Sequence, residues 1–167
     1  VFDAARTHEA DLIVMGRGPR GAPGRAESAL DELTGRLPCD IAVFEDRGFD
    51  PSRVLVPTAG GPGADLGASI ARCLDAEVDA EITLLHVADN PTPGRTFIDE
   101  WAVDHGLADA ERRVETGDVE AAIERAAADA TLIVMGASER GLLERLVTGS
   151  TVRDVAEDAG CSVLLAE

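Results

Sequence analysis

Most of the residues of this chain whose types and spacing could do chemistry lie in one stretch. Met135-Gly136-Ala137-Ser138-Glu139-Arg140-Gly141 follows an apolar run, and Thr148-Gly149-Ser150-Thr151 opens a segment of helical spacing. Glycine at 149 allows a close backbone approach, and the free N–H groups of a helix start carry partial positive charge. Ser150 and Thr151 add hydroxyl donors there, and Arg140 can turn inward with a guanidinium. The chemistry this predicts is the cradling of an anion such as a phosphate.

Other reactive side chains read as structural. His86 follows Leu84-Leu85 and has no spaced Cys, Asp or His partner, so a packed or hydrogen-bonded ring is expected; His8 and His105, in acidic surroundings, are expected to be solvated. Asp99, Glu100 and Asp104 flank Trp101, but carboxylates cluster by chance in a chain with 32 Asp+Glu. Cys39, Cys73 and Cys161 lack the spacing of a disulfide framework or metal motif and are read as small buried hydrophobes. No arrangement suggests nucleophilic catalysis, so no catalytic and no metal residue is assigned.

The elements that must position the cradle follow from an internal repeat. Ala10-Asp11-Leu12-Ile13-Val14-Met15-Gly16 returns as Ala130-Thr131-Leu132-Ile133-Val134-Met135-Gly136, and Glu27–Val43 lines up with Gly149–Leu165. Residues 1–46 therefore read as the C-terminal half (β-α-β) of a unit that is complete in 53–167, with 47–52 as linker. In the complete unit, apolar runs at 53–56, 82–87, 132–135 and 161–165, with a weak one at 111–116, are expected strands. Helices are expected over 65–76, 97–106, 118–129 and 150–158, and a Pro/Gly loop over 89–95. Continuous apolar strands alternating with amphipathic helices predict a parallel sheet buried on both faces.

With these residues in view, the chain resembles the universal stress protein family. The resemblance rests on Leu-Ile-Val-Met-Gly followed by a loop and Gly149-Ser150, on the opening strand Val54-Leu55-Val56-Pro57, and on Leu84-Leu85-His86-Val87. ATP-binding members show Gly, two residues, Gly, nine residues, Gly and then Ser or Thr; here Gly136 and Gly149 fit, and Glu139 stands at the middle glycine. The aspartate that ends the first strand in such members is matched by Ala59. The resemblance implies a three-layer α/β sandwich with a five-stranded parallel sheet of order 3-2-1-4-5. It also implies ATP or AMP as ligand, held by Gly136, Ser138, Arg140, Gly149, Ser150 and Thr151 with the Val87 backbone beside the base. Association through the last strands is implied too, either as a homodimer or between Ile41–Phe44 and Cys161–Leu165 within one chain. In the half copy, Glu27 replaces the helix-start glycine, and Arg17, Arg20 and Arg25 read as solvated loop charges.

Two functional readings stay open. One is a stress or regulatory domain that binds adenine nucleotide; the other is a non-binding interaction module, such as the cytoplasmic tail of an amino-acid or ion transporter, whose membrane domain would then be its partner. Charge narrows the partners of both. Fifteen basic residues, all arginine, face the 32 acids, for a net charge of −17. That balance excludes a nucleic-acid stripe and resembles proteins of salt-loving archaea, where concentrated salt screens carboxylate repulsion to about 3 Å at 1 M. No run approaches a membrane span, so a cytoplasmic location is expected.

Overall fold

The computed structural model describes residues 2–16, 39–136 and 160–166. In chain order the elements are α1 (Phe2–Thr7), β1 (Leu12–Gly16), β2 (Asp40–Glu45), β3 (Arg53–Pro57), α2 (Pro62–Val78) and β4 (Glu81–Val87). There follow α3 (Pro91–Asp104), β5 (Glu111–Glu115), α4 (Val119–Ala127), β6 (Leu132–Gly136) and β7 (Ser162–Ala166).

All seven strands form one sheet, in the order β1-β2-β7-β6-β3-β4-β5. This corrects the expected five-stranded sheet: β1 and β2 extend it. The strands are parallel except at one seam, where β2 meets β7 antiparallel with Val43 opposite Leu165 and Phe44 opposite Leu164. At that seam the fully buried Ser162 accepts a hydrogen bond at its Oγ from the Arg47 N–H, 3.0 Å.

Period-two alternation sends the strand side chains into two layers. Val54, Val56, Leu84, Leu132, Val134 and Ala42 face α2 and α3. Leu55, Leu85, Ile133, Val163 and Val43 face Ile123, Ala126 and Ala127 of α4. The central strands β3, β6 and β7 are mostly hydrocarbon because both of their faces are covered.

Helix α2 packs close against the sheet. Its buried residues Gly63, Ala64, Gly67, Ala68 and Ala71 recur at i, i+1, i+4, i+5 and i+8, one narrow stripe without bulk. That stripe packs on β6: a Cβ on Gly67 would lie 3.6 Å from the Gly136 nitrogen and 3.7 Å from Val134.

Two helices depart from expectation. α2 runs from Pro62 to Val78, longer at both ends than 65–76, and stops where Asp79 takes a left-handed φ of 56°. α3 begins at Pro91, inside the expected loop: proline suits a first turn that has no use for its N–H, and the Asn90 side chain accepts from the Thr92 N–H at 3.0 Å. The helix expected at 150–158 lies outside the described residues.

Candidate functional site

From β3 the chain continues outward through β4 to β5 on one side and, in later sequence, through β6 to β7 on the other. The carboxyl ends of β3 and β6 therefore flank a topological switch point, where crevices open in such sheets. The described wall after β3 is nearly bare backbone. After Pro57 come the buried Thr58, the exposed Ala59, and Gly60 and Gly61 with φ of 82° and 91°, before α2 starts. Those positive angles are open to glycine and strained for side-chain-bearing residues. Among the described residues α2 has no side-chain cap, and its first turn stands beside the crevice with the partial positive charge of a helix start.

This loop is fixed from several sides. The Thr58 N–H donates to the Leu85 carbonyl, 2.8 Å, and its Oγ1 accepts from the Gly60 N–H, 3.1 Å. His86 bonds the Thr58 carbonyl through Nδ1 at 2.9 Å and leans on Phe97 with ring centroids 4.4 Å apart. The histidine is thus a strut between β4, the loop and α3, as a packed and bonded ring was expected to be. A Cβ at Gly60 would meet the Phe97 ring at 3.4 Å, so the same aromatic seats both residues.

Of the residues expected to hold a nucleotide, the structure places two. Gly136 ends β6 and Val87, half-buried, ends β4, on either side of β3. Ser138, Arg140, Gly149, Ser150 and Thr151 lie outside the described residues, as does Glu139. Gly136 has a packing duty of its own: a Cβ there would fall 2.2 Å from the carbonyl carbon and oxygen of Gly63 and 2.3 Å from the Ala64 nitrogen. Glycine is required where β6 meets the first turn of α2, whatever the crevice holds. Residues 57–63 read from sequence as a Gly/Pro turn after a buried strand, and the structure agrees; what the sequence reading did not do was count Gly60 and Gly61 among the site residues.

Two further readings are corrected. His105 is not solvated: Nε2 contacts Asp65 Oδ1 at 2.9 Å, Nδ1 contacts the Trp101 carbonyl at 2.8 Å, and the ring stacks on Trp101 at 4.3 Å. Both ring nitrogens lie at hydrogen-bonding distance from oxygen atoms, one of α2 and one of α3. Asp65 lies in the first turn of α2, where the helix dipole favours a carboxylate. The second correction concerns cysteine: Cys161 is buried as expected, Cys39 is half-buried, and Cys73 is exposed. Around Trp101, Asp99 is engaged by Arg95 and Arg112, each at 3.3 Å.

A groove of about 670 Å³ opens at the opposite end of the sheet, where Arg53, Glu81 and Glu111 begin β3, β4 and β5. Its Arg113 is held by Glu111 at 2.8 Å and by Asp129 at 3.6 Å, so the cation is already neutralised. Among the described residues no three His, Cys, Asp or Glu gather as a metal site, and no helix is long and apolar enough to cross a membrane.

The family model that matches this chain is that of the universal stress protein family, over residues 51–167. No curated protein matches it in sequence. Among solved structures it is similar to a universal stress protein from Archaeoglobus fulgidus, with TM-score 0.64 and 22% identity over 98% of this chain and 62% of that one. A functionally unknown protein from Pseudomonas aeruginosa gives TM-score 0.63 and 18% identity over 98% of this chain and 65% of the other. The chain thus spans less than two thirds of either relative. A universal stress protein in complex with cAMP aligns with TM-score 0.54 and 21% identity, over 68% of this chain and 94% of that one.

Proposed function

Because the chain belongs to the universal stress protein family, we propose that it is a regulatory domain whose crevice between β3 and β6 binds an adenine nucleotide. The observation that carries this reading is the bare wall of the crevice. Ala59, Gly60, Gly61 and Gly136 offer nothing larger than a methyl, beside the start of α2, which no described side chain caps. Backbone of that kind suits a phosphate ester, and the family relative solved with cAMP supplies the ligand class. In this reading the base lies along the end of β4 at Val87, and Ser138, Arg140, Gly149, Ser150 and Thr151 complete the phosphate side. No side chain is assigned to catalysis.

The division of the chain is part of the same proposal: 1–46 as the C-terminal half of a first unit, 47–52 as linker and 53–167 as a complete unit. The Leu-Ile-Val-Met-Gly repeat supports it, as does the antiparallel meeting of β2 with β7, the final strand of each unit.

Calorimetric titration of ATP, AMP and cAMP in concentrated KCl tests nucleotide binding. A dissociation constant below about 1 mM for one of them is expected, and no binding of any at about 5 mM overturns it. Changing Ala59→Asp together with Glu139→Gly adds the missing carboxylate, removes a repelling one, and is expected to tighten binding about tenfold.

A second reading is favoured by Ala59 itself, a methyl where a ribose-binding aspartate is expected. In that reading the chain is a non-binding interaction module, in the cytoplasm or attached there to a transporter. Absence of binding in the wild-type chain, restored by the double substitution, supports it over the first.

A further inference from the structure

At the carboxyl end of the sheet β4 outlasts one of its two neighbours. Against β5 it stays paired as far as Val87, opposite Glu115, whereas against β3 the register ends with Pro57 opposite Leu85. In a parallel ladder successive residues of a strand turn their backbone groups to opposite neighbours. The Ala88 N–H donates to the Glu115 carbonyl of β5 at 2.9 Å, so the N–H and carbonyl of Val87 face the β3 side. There the Thr58 N–H donates to the Leu85 carbonyl at 2.8 Å, and the next bond of a continuing ladder runs from the Val87 N–H to the Thr58 carbonyl. Among the described residues that bond is not made. The Thr58 carbonyl pairs instead with His86 Nδ1 at 2.9 Å, and since a carbonyl only accepts, Nδ1 is the donor. Helix α3 holds the ring in place: Phe97 lies against it with centroids 4.4 Å apart, and a Cβ at Gly94 would stand 3.4 Å from its Cδ2.

We propose that His86 is a positioning residue of the crevice. Its imidazole takes the place of the Val87 N–H at the Thr58 carbonyl, ends the β3–β4 ladder one bond early, and leaves the Val87 backbone open toward the crevice. Past Thr58 the chain then turns through Gly60 and Gly61, at φ of 82° and 91°, instead of continuing β3. An open N–H beside an open carbonyl suits a planar heterocycle with an acceptor next to a donor, as on an adenine edge. His86 thus acts on affinity through Val87, without touching the ligand. The inference rests on the nucleotide reading of this crevice, whereas the ladder geometry that it uses does not.

The test compares the wild-type chain with His86→Leu, which has no donor, and with His86→Asn, whose amide nitrogen takes the position of Nδ1 and donates to the same carbonyl. Hydrogen exchange at the Val87 amide is followed by NMR, and whichever of ATP, AMP and cAMP the wild type binds most tightly is titrated by calorimetry in concentrated KCl. In the leucine variant the Thr58 carbonyl is free to take the Val87 N–H. Exchange at Val87 is therefore expected to slow at least tenfold and affinity to fall at least tenfold, with asparagine restoring both. A merely structural strut predicts the opposite sign, because its loss loosens the loop and speeds exchange. Faster or unchanged exchange at Val87 overturns the proposal, as does an asparagine variant that behaves like leucine. Slower exchange with unchanged affinity overturns the role in binding. Slower exchange where the wild type binds none of the three at about 5 mM supports the action of His86 on Val87 and overturns the nucleotide reading alone. Should the leucine variant fail to fold, the nitrogen chemical shifts of the wild-type ring decide: a protonated Nδ1 is expected, and a bare Nδ1 overturns the proposal.

Discussion

Gly16 and Gly136 end the same five-residue strand and answer to different physics. Gly136→Ala drives a methyl into the Gly63 backbone and is expected to destabilise the chain by about 3 kcal/mol or more. Gly16→Ala meets nothing within 4 Å among the described residues and should change stability by less than about 0.5 kcal/mol, with urea unfolding of the two variants as the check. Cysteine gives a second contrast. Burial pushes the Cys161 thiol up, so its reactive thiolate is scarce, whereas Cys73 is exposed. Brief alkylation of the native chain, mapped by mass spectrometry, should modify Cys73 first and Cys161 only on unfolding. Single residues were the least legible part of the sequence. His105 looked isolated because its partner Asp65 is 40 residues away, and only the fold brings them within 2.9 Å. The glycine at 136 was read for ligand approach; the neighbour that demands it, Gly63, belongs to another element.

At the scale of elements the strands were the most legible, since the runs at 54–56 and 132–135 are apolar without interruption, 82–87 is broken only by Thr83 and His86, and two-sided burial allows little else. The start of α3 was not, because Pro91, Pro93 and Gly94 carry the composition of a loop. Their reasons are tertiary: Asn90 caps the helix, and a Cβ at Gly94 would meet Ala88 at 2.8 Å and Val114 at 3.0 Å. Asn90→Ala should cost about 1 kcal/mol, and Asp118→Ala, which removes the cap on the Ala121 N–H at 2.9 Å, a similar amount. Thermal melts of the two variants and of their double give the check, with additive losses expected because the caps serve different helices.

For the whole molecule, the parallel-dominated sheet was legible from repeat and periodicity, and the strands that form the seam were identifiable. The joining of β2 to β7 was legible only through the resemblance, which implied a meeting of Ile41–Phe44 with Cys161–Leu165 within one chain; local pattern carries no trace of a contact made across 115 residues at Arg47 and Ser162. Charge acts on the same scale. A chain of net charge −17 repels itself, and raising salt shortens the reach of that repulsion from about 10 Å at 0.1 M to about 3 Å at 1 M. The melting temperature is expected to climb steadily with KCl through this range, and a flat or falling profile in scanning calorimetry refutes the expectation.

The place of β7 bears on the order in which the chain can assemble as it is made. The strand synthesised last of the seven lies third in the sheet, between β2 and β6. Until it has emerged, no described strand links the pair β1–β2 to β6 and the strands beyond it, and a two-strand ribbon on its own is marginal in water. The sheet therefore closes only after residues 162–166 have left the ribosome. A message that stops short of them yields two unjoined pieces with open edges, and quality control meets the defect as exposed strand rather than as a shortened protein.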